Sequence, residues 1–334
     1  MKITIKDIAK LSGVSTATVS KILNSKDKNI SNLTRQKVLN IVEEYNYVPN
    51  TVARSLVTRQ TKTIGLVIPD ITNPFFPELV RGAEDKANEC GYNIIFCNTD
   101  DNMEKEENYI NMLIEKMVDG IIFTQSVKRT VGFQKLNIGS TPIVLIDRDM
   151  ELEGVVGKVL VDNFTGAYDG VNYLLSRGYR KIAFITGALT TNTSKSRLSG
   201  YKKALEDFGI NYNKDYVLAG EYRSEWGFKA IQELLSKNID FDAVFCGNDL
   251  IALSVIKALK NVGKSIPEDV GVLGFDDIYM ARFIEPELST IRQPNYEMGY
   301  KAVEILIDIL DKPTEKNIKR ELVLNTELII RQST

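Results

Sequence analysis

The sequence predicts a small all-α helix-turn-helix headpiece followed by an α/β core of two doubly wound parallel-sheet lobes. Three observations lead to this prediction. In residues 1–48, each good N-cap residue is followed by apolar residues at helical spacing. From residue 61, apolar strand-like segments alternate with amphipathic helices. The same alternation starts again near residue 180, which indicates a second lobe built like the first.

Two short helices joined by a tight turn are predicted first. Thr4 begins the first helix, and Asp7 three residues later forms a capping-box-like pair with it. Gly13 permits the turn, and Ser15 caps the second helix. The second helix then presents short or basic side chains outward, as a recognition helix in the major groove does. These outward residues are Thr16, Ala17, Ser20 and Lys21.

A third helix, capped by Ser31, completes the headpiece. Its predicted core stripe consists of Val38, Ile41, Val42 and Tyr45. The alternative is a three-helix bundle with no nucleic-acid role, which the short, polar and basic outward face disfavours.

The hinge segment, residues 49–60, predicts a helix of about two turns that Asn50 can cap. Val52, Ala53 and Leu56 share one face of it. A helix this short is marginal in water, so we expect it to form only when a partner copy and DNA support it. Leu56 would then be a wedge between base steps in the minor groove, with Ala53 allowing close approach. The alternative for Leu56 is ordinary linker packing.

Composition argues against an enzyme. The 334 residues contain no histidine, which removes Ser-His-Asp catalysis, histidine bases and histidine metal ligands. The chain also lacks the G-x-x-x-x-G-K-[ST] and G-x-G-x-x-G phosphate loops. Three cysteines without metal spacing predict reduced thiols, and hence no metal site and no disulfide framework. We expect no cofactor.

Charge separates the two predicted parts of the chain. Residues 1–60 hold ten basic and four acidic residues, a net charge of +6, which leaves −8 for the rest of a chain whose net charge is −2. A basic arm on an acidic body suits a polyanionic partner for the arm alone, although a solvated surface gives the same pattern. With neither a signal peptide nor an apolar run of about 20 residues, we expect a cytoplasmic protein without a membrane partner.

The core is predicted from its apolar runs, which are continuous and so indicate strands buried on both faces. We expect the chain to cross between lobes near residues 160–163 and 288–293. The predicted strands are 63–69, 92–98, 119–124, 142–147, 180–187, 241–247 and 270–275, and the helices are 76–90, 104–117, 195–208, 224–236 and 249–262. The first lobe is assigned residues 61–161 and 290–320, and the second lobe residues 162–289 and 321–334.

Polar and aromatic residues follow the carboxyl ends of these strands, where open parallel sheets bind ligands. They are Asn73, Phe75, Phe76, Asp147, Arg148, Arg197, Asn248, Asp276 and Gln293. Aromatic faces with carboxylate, amide and guanidinium groups suit a sugar. Taken singly, these residues also have simpler structural interpretations. Phe75 could be a core residue, Arg197 could form a surface ion pair, and Asp147 could pair locally with Arg148. Their shared location favours a ligand site.

The N-terminal motifs resemble those of the lactose-repressor (LacI/GalR) family. The matching stretches include Lys6-Asp7-Ile8-Ala9, Gly13-Val14-Ser15, Thr18-Val19-Ser20 and Ala53-Arg54-Ser55-Leu56. The resemblance implies a homodimer, or a tetramer, on a pseudo-palindromic DNA operator. It also implies base reading by Thr16, Ala17 and Lys21, phosphate contacts from Ser15 and Thr18, and an intercalating Leu56. The full predicted DNA-binding set is Thr4, Ser15, Thr16, Ala17, Thr18, Ser20, Lys21, Asn24, Asn50, Ala53, Arg54 and Leu56.

Residues 61–330 resemble periplasmic sugar-binding proteins and the effector domain of the same family. The nine strand-end residues are especially similar to those of ribose-binding proteins, which implies stacking by Phe75 and Phe76 and hydroxyl binding by the other seven. An aromatic wall is expected from the second lobe, from either Tyr222 or Trp226. The resemblance therefore implies a transcriptional repressor whose operator affinity is controlled by a ribose-like monosaccharide.

Two other interpretations compete with this one. A plain binding protein lacks support, because the chain has a DNA headpiece and no export signal. A regulator controlled by a phosphoprotein, a phosphosugar or a nucleoside is the alternative within the family, with the outer face around Arg81, Glu84 and Asp85 as a docking site. In the favoured mechanism the dimer forms through the first lobe. The sugar closes the lobes, the hinge helices separate and unfold, and the operator is released.

Overall fold

The computed structural model describes residues 3–25, 27–49, 60–126, 139–150, 154–312 and 320–334. The chain divides into two compact units, Met1–Thr61 and Lys62–Thr334. Within the described ranges, no helix has the length and apolarity needed to cross a membrane.

The N-terminal unit contains three helices: α1 (Ile5–Ser12), α2 (Thr16–Leu23) and α3 (Asn32–Glu44). They enclose a small core of Ile8, Ala9, Val19, Ile22 and Val38. The helices begin at polar caps, as the sequence predicts. The Asp7 carboxylate accepts hydrogen bonds from the Thr4 backbone N–H at 2.9 Å and from the Thr4 hydroxyl at 2.7 Å. Ser15 Oγ accepts the Thr18 backbone N–H at 3.1 Å.

The predicted turn at Gly13 is confirmed, and the predicted core position of Tyr45 is wrong. Gly13 ends α1 with φ 70°, and the Val14 N–H then returns to the Ala9 carbonyl at 3.0 Å, which turns the chain into α2. Tyr45 was predicted as core, but it is 46% exposed because α3 ends at Glu44. Tyr47 packs against the core instead.

The first lobe of the larger unit is a six-stranded parallel sheet. Its strands are β1 (Thr63–Ile68), β2 (Asn93–Asn98), β3 (Gly120–Phe123), β4 (Ile143–Ile146), β5 (Val155–Val161) and β11 (Arg320–Leu324), in the order β11-β5-β4-β3-β1-β2. Its helices are α4 (Phe75–Glu89), α5 (Met103–Glu115) and α10 (Asn295–Asp311). The central strands β1, β3 and β4 are almost wholly buried, which is why they read as continuous apolar runs.

The second lobe repeats this architecture with one antiparallel edge. Its strands are β6 (Ile182–Gly187), β7 (Val217–Gly220), β8 (Ala243–Cys246), β9 (Gly271–Asp276), β10 (Ser289–Arg292) and β12 (Glu327–Ile329), in the order β12-β10-β9-β8-β6-β7. Its helices are α6 (Asn163–Ser176), α7 (Asn192–Asp207), α8 (Ser224–Ser236) and α9 (Asp249–Asn261). Only β12 runs antiparallel to its neighbour among the pairs of this sheet.

The chain passes between the lobes three times, between β5 and α6, between β10 and α10, and between β11 and β12. Two predicted boundaries are displaced. β10 pairs with β9, so residues 290–292 belong to the second lobe and not to the first. β11 pairs with β5, so residues 321–324 belong to the first lobe and not to the second. These boundaries depend on which strands pair within a sheet. The local sequence pattern does not show which strands will pair.

Helices α4 and α10 touch backbone to backbone in the first lobe. A Cβ atom added at Gly82 would overlap the carbonyl oxygen of Tyr296, and one added at Gly299 would overlap the carbonyl oxygen of Leu79. Each helix therefore needs a residue without a side chain at the crossing.

We predict that Gly82→Ala destabilises the protein by about 1–3 kcal/mol, because the new methyl group forces two packed helices apart. Chemical unfolding followed by circular dichroism measures this. Glu84→Ala, an exposed change on the same helix, is the matched control. Equal unfolding free energies for the two variants would contradict the close packing of α4 and α10.

Candidate ligand pocket and nucleic-acid interface

The outward face of α2 carries the residues that were predicted to read DNA. Thr16, Ala17 and Lys21 are exposed, and Thr18 and Ser20 are half-buried. Thr18 Oγ1 lies 2.9 Å from Ser15 Oγ, so two candidate phosphate contacts are held together. The exposed face is thus free of large apolar side chains, as approach to base edges requires.

Two further residues of the predicted DNA set act as helix caps here. Asn24 donates from Nδ2 to the Ser20 carbonyl at 2.7 Å, which closes the end of α2. Thr4 is exposed and caps α1 together with Asp7. The predicted hinge contacts Asn50, Ala53, Arg54 and Leu56 lie outside the described residues.

A pocket that encloses about 310 Å³, including space open to solvent, lies between the two lobes of the larger unit. It is lined by Asn73, Phe75, Phe76, Asp147, Arg148, Thr193, Arg197, Tyr222, Asn248, Asp276 and Gln293. Ten of these eleven residues were predicted from the sequence. The carboxyl ends of β1 and β4 in the first lobe and of β6, β8 and β9 in the second lobe meet at this pocket. The parallel strands of each sheet place their carboxyl ends at one edge of that sheet.

Of the two aromatic candidates from the second lobe, Tyr222 lines the pocket and Trp226 does not. The indole Nε1 of Trp226 donates to the Thr186 carbonyl at 3.0 Å, and its ring packs against the core of the second lobe. The Tyr222 hydroxyl lies 2.7 Å from Ser194 Oγ, which fixes the orientation of its ring. Trp226 is therefore a packing residue behind the pocket wall.

Thr193 is the lining residue that sequence reasoning missed. It is buried in the first turn of α7, one helical turn before Arg197 and on the same face. The polar loop after β6 was recognised, but the i, i+4 spacing to Arg197 was the signal that could have selected this residue.

On the first lobe, the start of α4 supplies an amide and two aromatic rings. Asn73 Oδ1 accepts the Phe75 backbone N–H at 3.1 Å, so its carbonyl is used in the turn that aims the rings. The rings of Phe75 and Phe76 meet edge to face, with centroids 5.0 Å apart. Both are almost fully buried, at 3% and 2% exposure, and form one rigid wall.

The end of β4 supplies a carboxylate and a guanidinium. Arg148 donates from Nη1 to the Gln125 carbonyl at 2.7 Å, and its Nε lies 3.5 Å from Asp147 Oδ2. Burial raises the pKa of the Asp147 carboxyl above its ordinary value, against the opposing effects of the Arg148 and Arg197 charges. The Asp147 backbone adopts φ 67°, a left-handed conformation that is uncommon for a residue other than glycine.

Arg197 is the deepest charge of the site and is only 3% exposed. Its Nε donates to Asn163 Oδ1 at 2.8 Å, and its Nη1 donates to the Gly247 carbonyl. Its guanidinium carbon lies 3.6 Å from the centroid of the Phe275 ring, a cation–π contact.

Asp276 and Gln293 form the floor on the second lobe. Gln293 Nε2 donates to Asp276 Oδ1 at 2.6 Å. Burial raises the pKa of the Asp276 carboxyl to about 7, although the Arg197 charge and the Gln293 hydrogen bond lower it. The Asp276 backbone has φ 125°, a strained value for a residue other than glycine.

A second carboxylate holds this strained turn. Asp249 is fully buried, and its Oδ2 accepts the Ile278 backbone N–H at 2.9 Å while its Oδ1 accepts the Thr290 hydroxyl at 2.6 Å. The adjacent Asp277 is held by Arg331 at 2.6 Å. Asp249 is thus a structural residue beneath the pocket.

Two buried polar atoms of the pocket residues have no hydrogen-bond partner among the described residues, namely Asn248 Nδ2 and Gln293 Oε1. One is a donor and one is an acceptor. Leaving such groups unpaired costs about 1–3 kcal/mol each, which a ligand with hydroxyl groups can recover. In the described ranges no cluster of three potential metal ligands occurs.

Comparison with known proteins places both units in one family. Residues 4–50 match the model described as bacterial regulatory proteins, lacI family. Residues 61–331 match the model described as periplasmic binding proteins and sugar binding domain of LacI family. The chain belongs to the LacI family. This LacI-family protein is accordingly a DNA-binding transcriptional regulator and not an enzyme.

Curated relatives match this LacI-family regulator from end to end. The transcriptional regulator RegA of Clostridium saccharobutylicum is 41% identical over 100% of both chains. The repressor PurR of Pasteurella multocida is 36% identical over 99% of this chain and 98% of its own. The ribose operon repressor of Haemophilus influenzae is 38% identical over the same shares. The three relatives thus agree on transcriptional regulation, and of their names only the last mentions a sugar.

Solved structures show the same fold. A lac repressor dimer bound to operator aligns with a TM-score of 0.86 over 100% of this chain and 99% of its own, at 24% identity. A LacI-family regulator from Enterococcus faecium with bound ribose aligns with a TM-score of 0.72, at 32% identity, over 81% of this chain and 98% of its own.

The raised pKa of Asp276 predicts a pH dependence. Between about pH 4 and pH 7 the folded chain holds a proton on this carboxyl that the unfolded chain has released, so stability falls as pH rises through this window. The slope from this one group is at most about 1.4 kcal/mol per pH unit. Urea unfolding followed by the fluorescence of the single tryptophan measures it.

Asp276→Asn should flatten this slope, and Asp215→Asn, at an exposed position, should leave it unchanged. If wild type and Asp276→Asn lose stability equally between pH 4 and pH 7, the buried carboxyl does not titrate as described.

Proposed function

We propose that this regulator is a homodimeric repressor whose operator affinity is controlled by a neutral monosaccharide, with ribose as the first choice. The observation that carries the proposal is the convergence of carboxylate, amide, guanidinium and aromatic side chains from both lobes on one small pocket. Aromatic rings pack against the C–H faces of a sugar, and bidentate polar groups bind neighbouring hydroxyls.

The hydrogen-bond partners of the two pocket guanidinium groups support a neutral ligand. The lining holds two carboxyl groups, Asp147 and Asp276, and two guanidinium groups, Arg148 and Arg197. Both guanidinium groups already bind protein carbonyl oxygens, Arg148 that of Gln125 and Arg197 that of Gly247. The named ribose operon repressor and the ribose-bound structure among the relatives favour a pentose.

Contacts between the pocket and the interlobe crossovers support a switch. Arg197 binds Asn163, which follows the first crossover directly. Gln293 lies in the second crossover and binds Asp276. The third crossover ends at Glu327, which binds Arg292 at 2.9 Å, and Arg292 binds Asp277 at 2.8 Å beside Asp276. A ligand that reorients Arg197 or Asp276 therefore acts on the segments about which the lobes move.

In the proposed mechanism the sugar binds the closed arrangement of the lobes more tightly than the open one, and this difference sets the size of the switch. Closure changes the spacing of the two hinge segments in the dimer. The hinge helices then lose their mutual support, and the operator is released. The exposed face of α2, with Lys21, reads the operator in the bound state.

Thermal unfolding against a panel of monosaccharides tests the ligand assignment. We predict that ribose stabilises the full-length protein by an amount that grows with concentration, about 2.7 kcal/mol at one hundred times its Kd. Asp276→Ala should abolish this stabilisation while operator binding persists. Asp215→Ala is the matched control at an exposed site. A flat response of the wild type across the panel would refute a monosaccharide effector.

Operator binding tests the other half of the mechanism. We predict that Leu56→Ala weakens binding to a specific operator by about tenfold or more while sugar affinity is unchanged, since only the wedge is lost. Leu39→Ala, at an exposed position of α3, is the control and should bind as wild type. Fluorescence anisotropy with labelled operator measures both variants. Parallel loss of sugar and operator binding in Leu56→Ala would rule out the proposed division of labour.

A further inference from the structure

The aromatic side chain that the second lobe adds to the pocket, Tyr222, is held by two segments other than its own. Tyr222 follows β7 and is half-buried. On one side its ring lies against Gly187, the last residue of β6, where an added Cβ atom would overlap the ring. Its hydroxyl oxygen lies 2.7 Å from Ser194 Oγ in α7. A strand end and a helix thus both restrict the ring.

The hydroxyl group of Ser194 is itself oriented by the residue that caps α7. Thr191 Oγ1 accepts the Ser194 backbone N–H at 3.2 Å, and the Thr191 hydroxyl donates to Ser194 Oγ at 2.9 Å. Both residues are buried. Because Ser194 Oγ accepts this hydrogen bond, its own hydrogen can be donated to the Tyr222 oxygen. Thr191, Ser194 and Tyr222 therefore form a chain of three hydroxyl groups, which strengthen one another in a buried environment.

The first turns of α7 serve the pocket in two ways. Thr193 and Arg197 line it directly. Thr191 and Ser194 lie in the same segment but are not among the described residues that line it, and they reach it only through the Tyr222 ring. One helix therefore sets the position of the Arg197 guanidinium and of an aromatic ring that belongs to a different segment.

We propose that Thr191 and Ser194 are positioning residues for the effector, which hold the Tyr222 ring in the orientation that packs against the sugar. This inference rests on the proposed function and assigns the residues that prepare its pocket. A ring that is fixed before binding loses little conformational entropy when a ligand packs against it. A ring without its hydroxyl contact must be ordered during binding, which weakens the affinity.

Fluorine NMR of the full-length protein labelled with 3-fluorotyrosine tests the hydroxyl chain without any sugar. The Tyr222 signal is the one that is absent from Tyr222→Phe. We expect Thr191→Ala, which does not touch the ring, to shift or broaden this signal through Ser194. Thr191→Ser keeps the hydroxyl and should restore the wild-type signal. An unchanged Tyr222 signal in Thr191→Ala would overturn the inference.

Isothermal titration with ribose measures the effect on binding. We expect Ser194→Ala to weaken ribose binding by about threefold to tenfold, the range of one lost hydrogen bond. Tyr222→Phe, which keeps the ring, should weaken it by a similar factor. The double variant should lose no more than either single variant, because both changes break the same link. Ser199→Ala, an exposed change on the same helix, is the matched control and should bind ribose as wild type.

The Thr191 variants separate positioning from helix capping. If Thr191 only caps α7, Thr191→Ala lowers the melting temperature and leaves the ribose affinity unchanged, which would overturn the inference. We expect Thr191→Ala to weaken ribose binding and Thr191→Ser to restore it.

Two results distinguish this inference from the proposed function. Additive losses in the double variant of Ser194 and Tyr222 would overturn the inference and leave the monosaccharide switch standing. Failure of the wild type to bind ribose would overturn the pentose effector, and the fluorine signal of Tyr222 would then decide the inference alone.

Discussion

The buried guanidinium of Arg197 is the constraint around which the effector unit is arranged. A charge that is 3% exposed is tolerated only if its surroundings pair it. The amide oxygen of Asn163 and the carbonyl oxygen of Gly247 accept its hydrogen bonds, and the Phe275 ring covers its face. These contacts bring the start of α6 and the ends of β8 and β9 to one point. Arg197 therefore lines the ligand pocket and also binds Asn163, the residue that follows the first interlobe crossover.

The pocket keeps features that a purely structural core would avoid. The carboxyls of Asp147 and Asp276 are buried with pKa values raised by that burial, and Asp276 lies in a strained backbone conformation. Asn248 Nδ2 and Gln293 Oε1 are buried without partners among the described residues. Strain and unpaired polar atoms are typical of binding sites, where the ligand supplies what the fold leaves out. Asp249 and Asp277 hold this arrangement in place from beneath.

Much of the fold could be predicted because local pattern and global fold agree. The continuous apolar runs of β1 and β6 follow from burial on both faces of a parallel sheet, and the caps at Ser15 and Ser31 follow from unsatisfied N–H groups at helix starts. The failures share a cause. Tyr45 continues the apolar spacing of α3, but the helix has already ended. Trp226 is as suitable a sugar wall as Tyr222, but in the folded lobe its indole donates to the Thr186 carbonyl and only Tyr222 lines the pocket.

The sequence by itself determined the residue types of the site, the strand ends that carry them and the helices of the headpiece, since caps, periodicity and strand-end chemistry are local properties. The tertiary structure decided what depends on distant pairing. β10 belongs to the second lobe and β11 to the first because of the strands beside which they lie. Thr193 joins the pocket because α7 brings it there with Arg197, and the pocket exists because residues from opposite lobes face each other. Contacts between residues so far apart in the chain form only when the whole unit folds, and no local window of sequence contains them.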